Sequence, residues 1–123
     1  LRRFAKVDLP NLNPTVFSAP QSHRILEFIE EYLGENFGLE SLASTVGLSP
    51  FHFSRKFKAE FGQTPHSFII RKRIERAKTM LQKGNISMTA VALDCGFSDQ
   101  SHFCRTFRRM VGVTPAEYRR SSV

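Results

Sequence analysis

The amino-acid sequence predicts an all-α protein in which two helix-turn-helix subdomains are joined by a long linker helix. Apolar residues recur at three- and four-residue spacing in one segment after another, which is the pattern of amphipathic helices. A stretch at residues 47–68 returns in longer form at residues 96–118. Glycines and proline-led helix starts separate these segments at matching places in both copies.

The two copies correspond residue by residue at a separation of about fifty positions, a spacing that marks an internal repeat. Gly47 matches Gly96 and Ser49 matches Ser98. After a one-residue insertion the correspondence continues through Phe53 and Phe103, Arg55 and Arg105, Phe57 and Phe107, Gly62 and Gly112, Thr64-Pro65 and Thr114-Pro115, and Phe68 and Tyr118. Two copies are too few for a solenoid, so we interpret them as a duplicated supersecondary unit.

Composition indicates a small globular protein. The chain has 123 residues, of which 41% are hydrophobic and 12 are Phe, enough for one domain or two small subdomains that share a helix. No apolar run reaches the length of a membrane span, and the start lacks the apolar core of a secretion signal. We therefore expect a cytoplasmic protein without a membrane partner. A start at Leu1 suggests a piece of a longer protein.

Positive charge is concentrated in the duplicated part. Residues 1–38 contain 4 basic and 5 acidic side chains, whereas residues 39–123 contain 14 basic and 6 acidic ones. The formal net charge is +7. A basic module of this kind suits a polyanion such as nucleic acid, with an ordinary solvated basic surface as the alternative.

The first helices are predicted from periodicity and capping residues. Residues 1–20 contain three prolines and are expected to form an extended tail or interdomain linker before a domain at 21–123. An amphipathic helix follows at about 22–33. A first helix-turn-helix at about 39–61 has a three-residue turn, in which Gly47 ends one helix and Ser49 caps the next at Pro50. Phe53, Phe57 and Phe61 form its buried face.

A linker helix is predicted from Pro65 to about residue 82, with apolar residues on one stripe and the densest positive charge of the chain. The second helix-turn-helix follows at about 88–111. It begins at a Ser87 cap, turns at Gly96, and buries Phe103, Phe107 and either Met110 or Val111. A last turn begins at Thr114-Pro115.

Most candidate DNA contacts lie on the outward face of the second helix in each unit, and two phosphate candidates, Arg71 and Lys72, lie on the linker helix. Arg55 and Arg105 are the first candidates for base reading, because Arg bonds guanine through two hydrogen bonds. Phosphate contact or solvation is the alternative role for both. The further base candidates are Phe51, Ser54, Gln100 and Ser101, with Gln100 suited to adenine and Phe51 to either a thymine methyl or packing. The phosphate candidates are His52, Lys56, Lys58, Arg71, Lys72, His102, Arg108 and Arg109, of which the histidines are alternatively packing groups.

These residues resemble the DNA-binding domain of the AraC/XylS family of bacterial transcription regulators. The run GFSDQSHFCRTFRRMVGVTPAEYRR carries the resemblance most specifically, and LASTVGLSPFHFSRKFKAEFGQTP and RKRIERAKTML match the first unit and the linker helix. The resemblance covers residues 22–120 and implies a seven-helix fold that places two recognition helices in successive major-groove segments. It implies base contacts at Phe51, Ser54, Arg55, Gln100, Ser101 and Arg105. It also implies activation through RNA polymerase and, in many members, a separate N-terminal effector or dimerisation domain. The chain is then either the C-terminal part of a larger regulator or a small regulator that works alone.

Two other functions compete with a regulator. A DNA repair enzyme with a DNA-binding domain of this type would need a reactive thiol, and Cys95 and Cys104 both fall inside predicted helices, where buried thiols are expected. The four histidines show no zinc spacing with these cysteines, so we expect neither a metal nor a cofactor. The other competitor is a basic helical module that binds an acidic protein, which would not require arginines at matched positions in both copies.

Overall fold

The computed structural model describes residues 16–121, and within that range every regular element is an α-helix, as predicted. Seven helices follow one another: α1 (Ala19–Tyr32), α2 (Leu39–Ser44), α3 (Pro50–Phe61), α4 (Pro65–Gln82), α5 (Met88–Asp94), α6 (Gln100–Val111) and α7 (Pro115–Ser121). The predicted starts at Pro50 and Pro65 and the predicted caps at Ser49 and Ser87 are confirmed.

Helix α1 begins earlier than the sequence analysis predicted. Ser18 and Gln21 form a reciprocal pair of bonds, because the Gln21 amide N–H donates to Ser18 Oγ at 3.2 Å and the Ser18 N–H donates to Gln21 Oε1 at 2.9 Å. This capping box satisfies amide groups that a helix start leaves unpaired. Assignment of Ala19 and Pro20 to an irregular tail was therefore wrong. Residues 16–18 of that predicted tail are irregular, as expected, and residues 1–15 lie outside the described residues.

The chain divides into two compact units, and each contains one helix-turn-helix. The first unit comprises described residues 16–31 and 37–68, with α2 and α3. The second comprises described residues 32–36 and 69–121, with α5, α6 and α7. Helix α4 belongs to both units in sequence, since its first turn lies in the first unit and the remainder lies in the second.

The core of the first unit is a row of aromatic rings. Phe53 and Phe57 are fully buried on the inner face of α3, with their ring centroids 5.6 Å apart. Phe17 lies 5.7 Å from Phe53, and Phe68 lies 5.3 Å from Phe57. Phe61 is half-buried beside Phe57. The predicted phenylalanine face of α3 is confirmed, and it leaves the opposite face of this helix to solvent.

The core of the second unit repeats this arrangement. Phe103 and Phe107 are fully buried on α6, with ring centroids 5.7 Å apart, and Tyr118 lies 5.5 Å from Phe107. Val111 packs against this cluster while Met110 is exposed, which resolves the open choice between them. The other buried members of the cluster are Ile74, Ala77, Leu81, Val91, Ala92, Cys95 and Phe97.

Glycine turns connect the two helices of each unit in the same way. Gly47 and Gly96 have φ values of +70° and +90°, in the left-handed region that favours glycine. In both units the amide after the glycine bonds a carbonyl five residues back: Leu48 N–H to Ala43 O at 3.2 Å, and Phe97 N–H to Ala92 O at 3.0 Å. This is a Schellman helix end. Hydrogen-bonded helix geometry ends at Ser44 and Asp94, so each connection has five residues instead of the predicted three.

Candidate nucleic-acid interface

Helix α3 is held at both ends and presents a polar outer face. Ser49 Oγ accepts the His52 amide at its start, and Gly62 ends it with a φ of +76°. Among the predicted base candidates on this helix, Phe51 and Arg55 are exposed and Ser54 is half-buried. Because the aromatic core fixes the rotation of α3, these three side chains share its solvent side.

An aromatic platform supports the arginine on this face. The Phe51 side chain is 66% exposed, which is unusual for a residue of its size and hydrophobicity. The Arg55 guanidinium carbon lies 5.7 Å from the centroid of its ring, within the range of a cation–π contact. The alternative packing role for Phe51 therefore does not involve the core. Phe51 instead restricts where Arg55 extends.

Two phosphate candidates on α3 have structural contacts of their own. His52 is part of the helix cap, since its Nδ1 lies 2.9 Å from Ser49 Oγ and its amide donates to the same oxygen. The Lys56 ammonium lies 5.8 Å from the centroid of the Phe17 ring. Lys58 is exposed and, within residues 16–121, makes no side-chain contact of this kind. Lys58 is thus the α3 cation most available to a phosphate.

Helix α6 repeats the arrangement of α3 with different capping chemistry. Asp99 Oδ1 accepts the His102 amide at 2.7 Å, and Gly112 ends the helix with a φ of +97°. The inner face buries Phe103, Thr106 and Phe107. The outer face exposes Gln100, Ser101, Arg105, Arg108 and Arg109. Each predicted candidate on α6 therefore faces solvent, apart from His102.

Arg105 and Gln100 differ in how they are held. Arg105 makes no hydrogen bond, ion pair or ring contact within the part of the chain that the structure describes, and Ser101 stands where α3 has the Phe51 ring. The Gln100 side chain is instead anchored to α5, because its Oε1 accepts the Thr89 hydroxyl at 2.8 Å. His102 is half-buried with its ring 5.3 Å from Phe97, which favours its packing role.

The basic stretch of α4 is divided between surface and structure. Arg71 is exposed and Lys72 is half-buried. Arg73 is a structural residue: its Nε donates to Leu33 O at 3.1 Å, Nη1 to Gly96 O at 3.0 Å and Nη2 to Glu35 O at 3.0 Å. Burial lowers the pKa of this guanidinium. The sequence offers no signal for these bonds, because the carbonyls lie 23 to 40 residues away from Arg73 along the chain.

The Gly96 turn lies directly against this guanidinium. A Cβ added to Gly96 would lie 2.6 Å from Leu33 O and 2.7 Å from Arg73 Nε, whereas a Cβ on Gly47 would meet nothing within 4 Å. Glycine at 96 is thus required both by its positive φ and by close approach. Arg73 consequently positions the turn that leads into α6.

The two cysteines lie in the second unit as free thiols. Burial raises the pKa of Cys95 to about 11, and Cys95 Sγ donates to Met80 Sδ at 3.7 Å. Cys104 is half-buried, and burial raises its pKa as well. Both groups are therefore protonated near neutral pH, in the form that is a poor nucleophile. Across residues 16–121, no three His, Cys, Asp or Glu side chains converge as metal ligands, and no helix there has the length and apolarity to span a membrane.

The geometry separates the base candidates into two sets, one in each unit. Phe51, Ser54 and Arg55 lie together on α3, and Gln100, Ser101 and Arg105 lie together on α6. Each set occupies the solvent side of the second helix of a helix-turn-helix. In such motifs this helix contacts base edges in the major groove.

Comparison with known proteins identifies the type of domain. A family model described as "Helix-turn-helix domain" matches residues 42–121. The chain is 32% identical over 97 residues to the HTH-type transcriptional activator RhaS of Escherichia fergusonii, covering 79% of this chain and 35% of that protein. It spans 14% to 40% of the length of eight curated relatives that it matches.

Solved structures share the fold. A transcriptional regulator from Chromobacterium violaceum, of the AraC-type DNA-binding domain-containing proteins, superposes with a TM-score of 0.77 at 30% identity, covering 85% of this chain and 93% of that one. The DNA-binding domain of the global transcriptional factor AdpA, solved with a target DNA, gives 0.79 at 32% identity with the same coverages. The chain therefore belongs to the AraC-type helix-turn-helix family, as a DNA-binding domain of a transcriptional regulator.

Proposed function

We propose that the protein binds specific double-stranded DNA by placing α3 and α6 in successive major-groove segments. One observation carries the proposal. Arg55 and Arg105 occupy the same position in the two copies, and both are exposed on helices whose opposite faces are sealed by phenylalanine. An arginine in this position reaches a base edge without disturbing the core. An ordinary basic surface would not require arginines at equivalent positions in the two copies.

The exposed side chains divide into two roles. Arg55 and Arg105 read guanine through two hydrogen bonds. Their neighbours Phe51, Ser54, Gln100 and Ser101 contribute the remaining base contacts, with the Phe51 ring available to a thymine methyl. Cations on the helix flanks bind phosphate and supply affinity without sequence information. These are Lys58, Arg71, Arg108 and Arg109, assisted by Lys56, Lys72, His52 and His102.

Substitution of two arginines on α6 tests this division. Arg105→Ala should weaken binding to a selected duplex by about 1–3 kcal/mol and relax preference at one base pair. Arg108→Ala serves as the matched control on the same helix and should weaken all duplexes alike. Affinities for specific and scrambled duplexes, measured by gel shift at increasing salt, distinguish the two patterns. Equal losses on both duplexes for Arg105→Ala would overturn the assigned roles.

In the cell we propose that the protein regulates transcription in the bacterial cytoplasm, at the nucleoid, as an activator that contacts RNA polymerase. A relative named as an activator and the family resemblance support this direction. A further N-terminal domain for effector binding or dimerisation is part of the same proposal, because the relatives are much longer than this chain. A promoter–reporter assay tests the activator role: expression should rise with the protein present, whereas a fall would show repression.

We infer that DNA binding occurs without enzymatic chemistry. A DNA repair enzyme would use a reactive thiolate, whereas burial of Cys95 and partial burial of Cys104 raise the pKa of both thiols. Thiol alkylation of the folded protein at pH 8 should accordingly be slow at Cys95. Fast alkylation at that pH would reopen the enzymatic alternative.

A further inference from the structure

A hydrogen bond between two helices of the second unit determines what one base-reading side chain offers to DNA. Thr89 lies in the first turn of α5 and Gln100 is the first residue of α6. The Thr89 hydroxyl donates to Gln100 Oε1 at 2.8 Å, and both residues are exposed. The amide oxygen of Gln100 is thereby directed toward α5.

The usual reading of adenine by glutamine needs both ends of the amide. The oxygen accepts from adenine N6, and the NH₂ group donates to adenine N7. The Thr89 hydroxyl occupies one of the two lone pairs of Gln100 Oε1 and directs that oxygen toward α5, so the NH₂ group is the end of the amide more available to a base. An NH₂ group only donates. Guanine offers it two major-groove acceptors, O6 and N7, and thymine offers O4, whereas adenine offers N7 alone and leaves its N6 donor without the Gln100 oxygen as a partner.

Neighbouring groups leave this arrangement undisturbed. The adjacent Asp99 carboxylate is used by the helix cap, where Oδ1 accepts the His102 amide at 2.7 Å. The first unit has no counterpart, because Pro50 begins α3 where Gln100 begins α6. The Thr89–Gln100 pair thus gives α6 a base-contacting feature that α3 lacks.

We propose that Thr89 is a specificity-determining residue that presents Gln100 to DNA as a hydrogen-bond donor. At the base pair that Gln100 contacts, the protein then prefers guanine or thymine over adenine. This inference rests on the proposed function, since it assumes that α6 enters the major groove. It reverses the adenine preference expected for Gln100 from its residue type alone.

Four proteins test the inference: the unmodified chain, Thr89→Val, Thr89→Ser and Gln100→Ala. Valine keeps the shape of threonine without the hydroxyl, whereas serine keeps the hydroxyl. Duplexes selected from a random pool identify the preferred site, and affinities for all four base pairs at each position identify the pair that Gln100→Ala relaxes. Thermal unfolding midpoints check that the variants are folded. We expect these midpoints to be equal, because both positions are exposed.

At the position relaxed by Gln100→Ala, the unmodified protein should prefer guanine or thymine over adenine by about tenfold. Thr89→Val should shift this preference toward adenine by a similar factor. Thr89→Ser should keep the preference of the unmodified protein. An adenine preference in the unmodified protein, or an unchanged preference in Thr89→Val, overturns the inference. The inference is also overturned if Arg105→Ala relaxes the base preference at one position while Gln100→Ala relaxes it at none. The proposed function stands in that case. Absence of any sequence preference in the unmodified protein overturns the proposed function itself.

Discussion

Equivalent arginines in the two units have different supports. Arg55 extends beside the exposed Phe51 ring, 5.7 Å from its centroid, while Arg105 has Ser101 in the corresponding place. A side chain that is restricted before binding loses less conformational entropy when it is ordered by a base. We therefore expect Arg55 to be the more preorganised of the two readers.

Removal of the Phe51 ring should expose this difference. Phe51→Ala should weaken binding to the selected duplex by about 0.5–1 kcal/mol, through loss of the cation–π contact, with a further loss if the ring also contacts a thymine methyl. Thermal stability should stay nearly unchanged, because the ring is 66% exposed. Ser101→Ala is the matched control for stability on α6. A large drop in the unfolding midpoint for Phe51→Ala would contradict the platform role.

At the scale of secondary structure elements, α4 does more than connect the two units. Through Arg73 it bonds carbonyls of the segment before α2 and of the turn before α6. Bonds from a charged donor to partly buried carbonyls are among the stronger ones in proteins. The guanidinium therefore sets the position of the turn from which α6 begins.

Arg73→Met tests this role, since methionine preserves the apolar stem and removes the donors. We expect the free energy of unfolding of the second unit to fall by about 3 kcal/mol, because three carbonyls lose a charged partner. Urea denaturation measures the change. Arg71→Met, on the exposed side of the same helix, is the control and should change stability by less than about 0.5 kcal/mol. Equal effects of the two substitutions would contradict the structural role of Arg73.

The two turn glycines provide a second comparison at this scale. Gly47→Ala should cost about 1 kcal/mol of stability, because alanine must adopt a positive φ in otherwise open space. Gly96→Ala should cost at least about 2 kcal/mol more, since its Cβ would also approach the Leu33 carbonyl and the Arg73 guanidinium. Thermal unfolding of both variants measures the difference. A larger effect at Gly47 would be inconsistent with the close approach at Gly96.

The helices and their ends could be predicted from sequence because their signals are local. Ser49, Pro50, Pro65 and Gly112 act on residues within one turn of themselves. The Ser18–Gln21 capping box was equally local and was missed, although its S-x-x-Q pattern is a known signature. Arg73 lies 23 to 40 residues from the carbonyls that it bonds, so sequence spacing alone offers no signal for that contact.

The candidate site shows the same contrast. Exposure of Arg55 and Arg105 followed from the phenylalanine periodicity on the opposite faces of α3 and α6. The Phe51–Arg55 contact was accessible in principle, because residues four apart lie side by side on a helix. The Thr89–Gln100 bond joins two helices across a turn, and it depends on how α5 packs on α6. Which bases these side chains contact remains a prediction.

At the scale of the whole molecule, charge distribution governs affinity. The formal net charge is +7, with an excess of 8 positive charges in residues 39–123. Each phosphate that a cation neutralises releases counterions, so affinity should fall steeply as salt rises. The exposed cations Lys58, Arg71, Arg108 and Arg109 should dominate this dependence.

Arg109→Ala should reduce the slope of log affinity against log salt by about 1, on specific and scrambled duplexes alike. Arg24→Ala, an exposed arginine on α1 whose Nε donates to Thr45 O, is the comparison and should leave the slope unchanged. Fluorescence anisotropy titrations at several salt concentrations provide the slopes. If Arg24→Ala reduced the slope as much as Arg109→Ala, the assignment of Arg109 as a phosphate contact would be contradicted.

The measurement that tests the two-helix account most directly is the affinity of Arg55→Ala and Arg105→Ala for every single-base-pair variant of the selected duplex. We expect the unmodified protein to discriminate bases in two blocks separated by about one turn of DNA, roughly 10 base pairs. Arg55→Ala should lose discrimination in one block only, and Arg105→Ala in the other block only. Loss of the same block in both variants, or discrimination confined to a single block, would contradict the account.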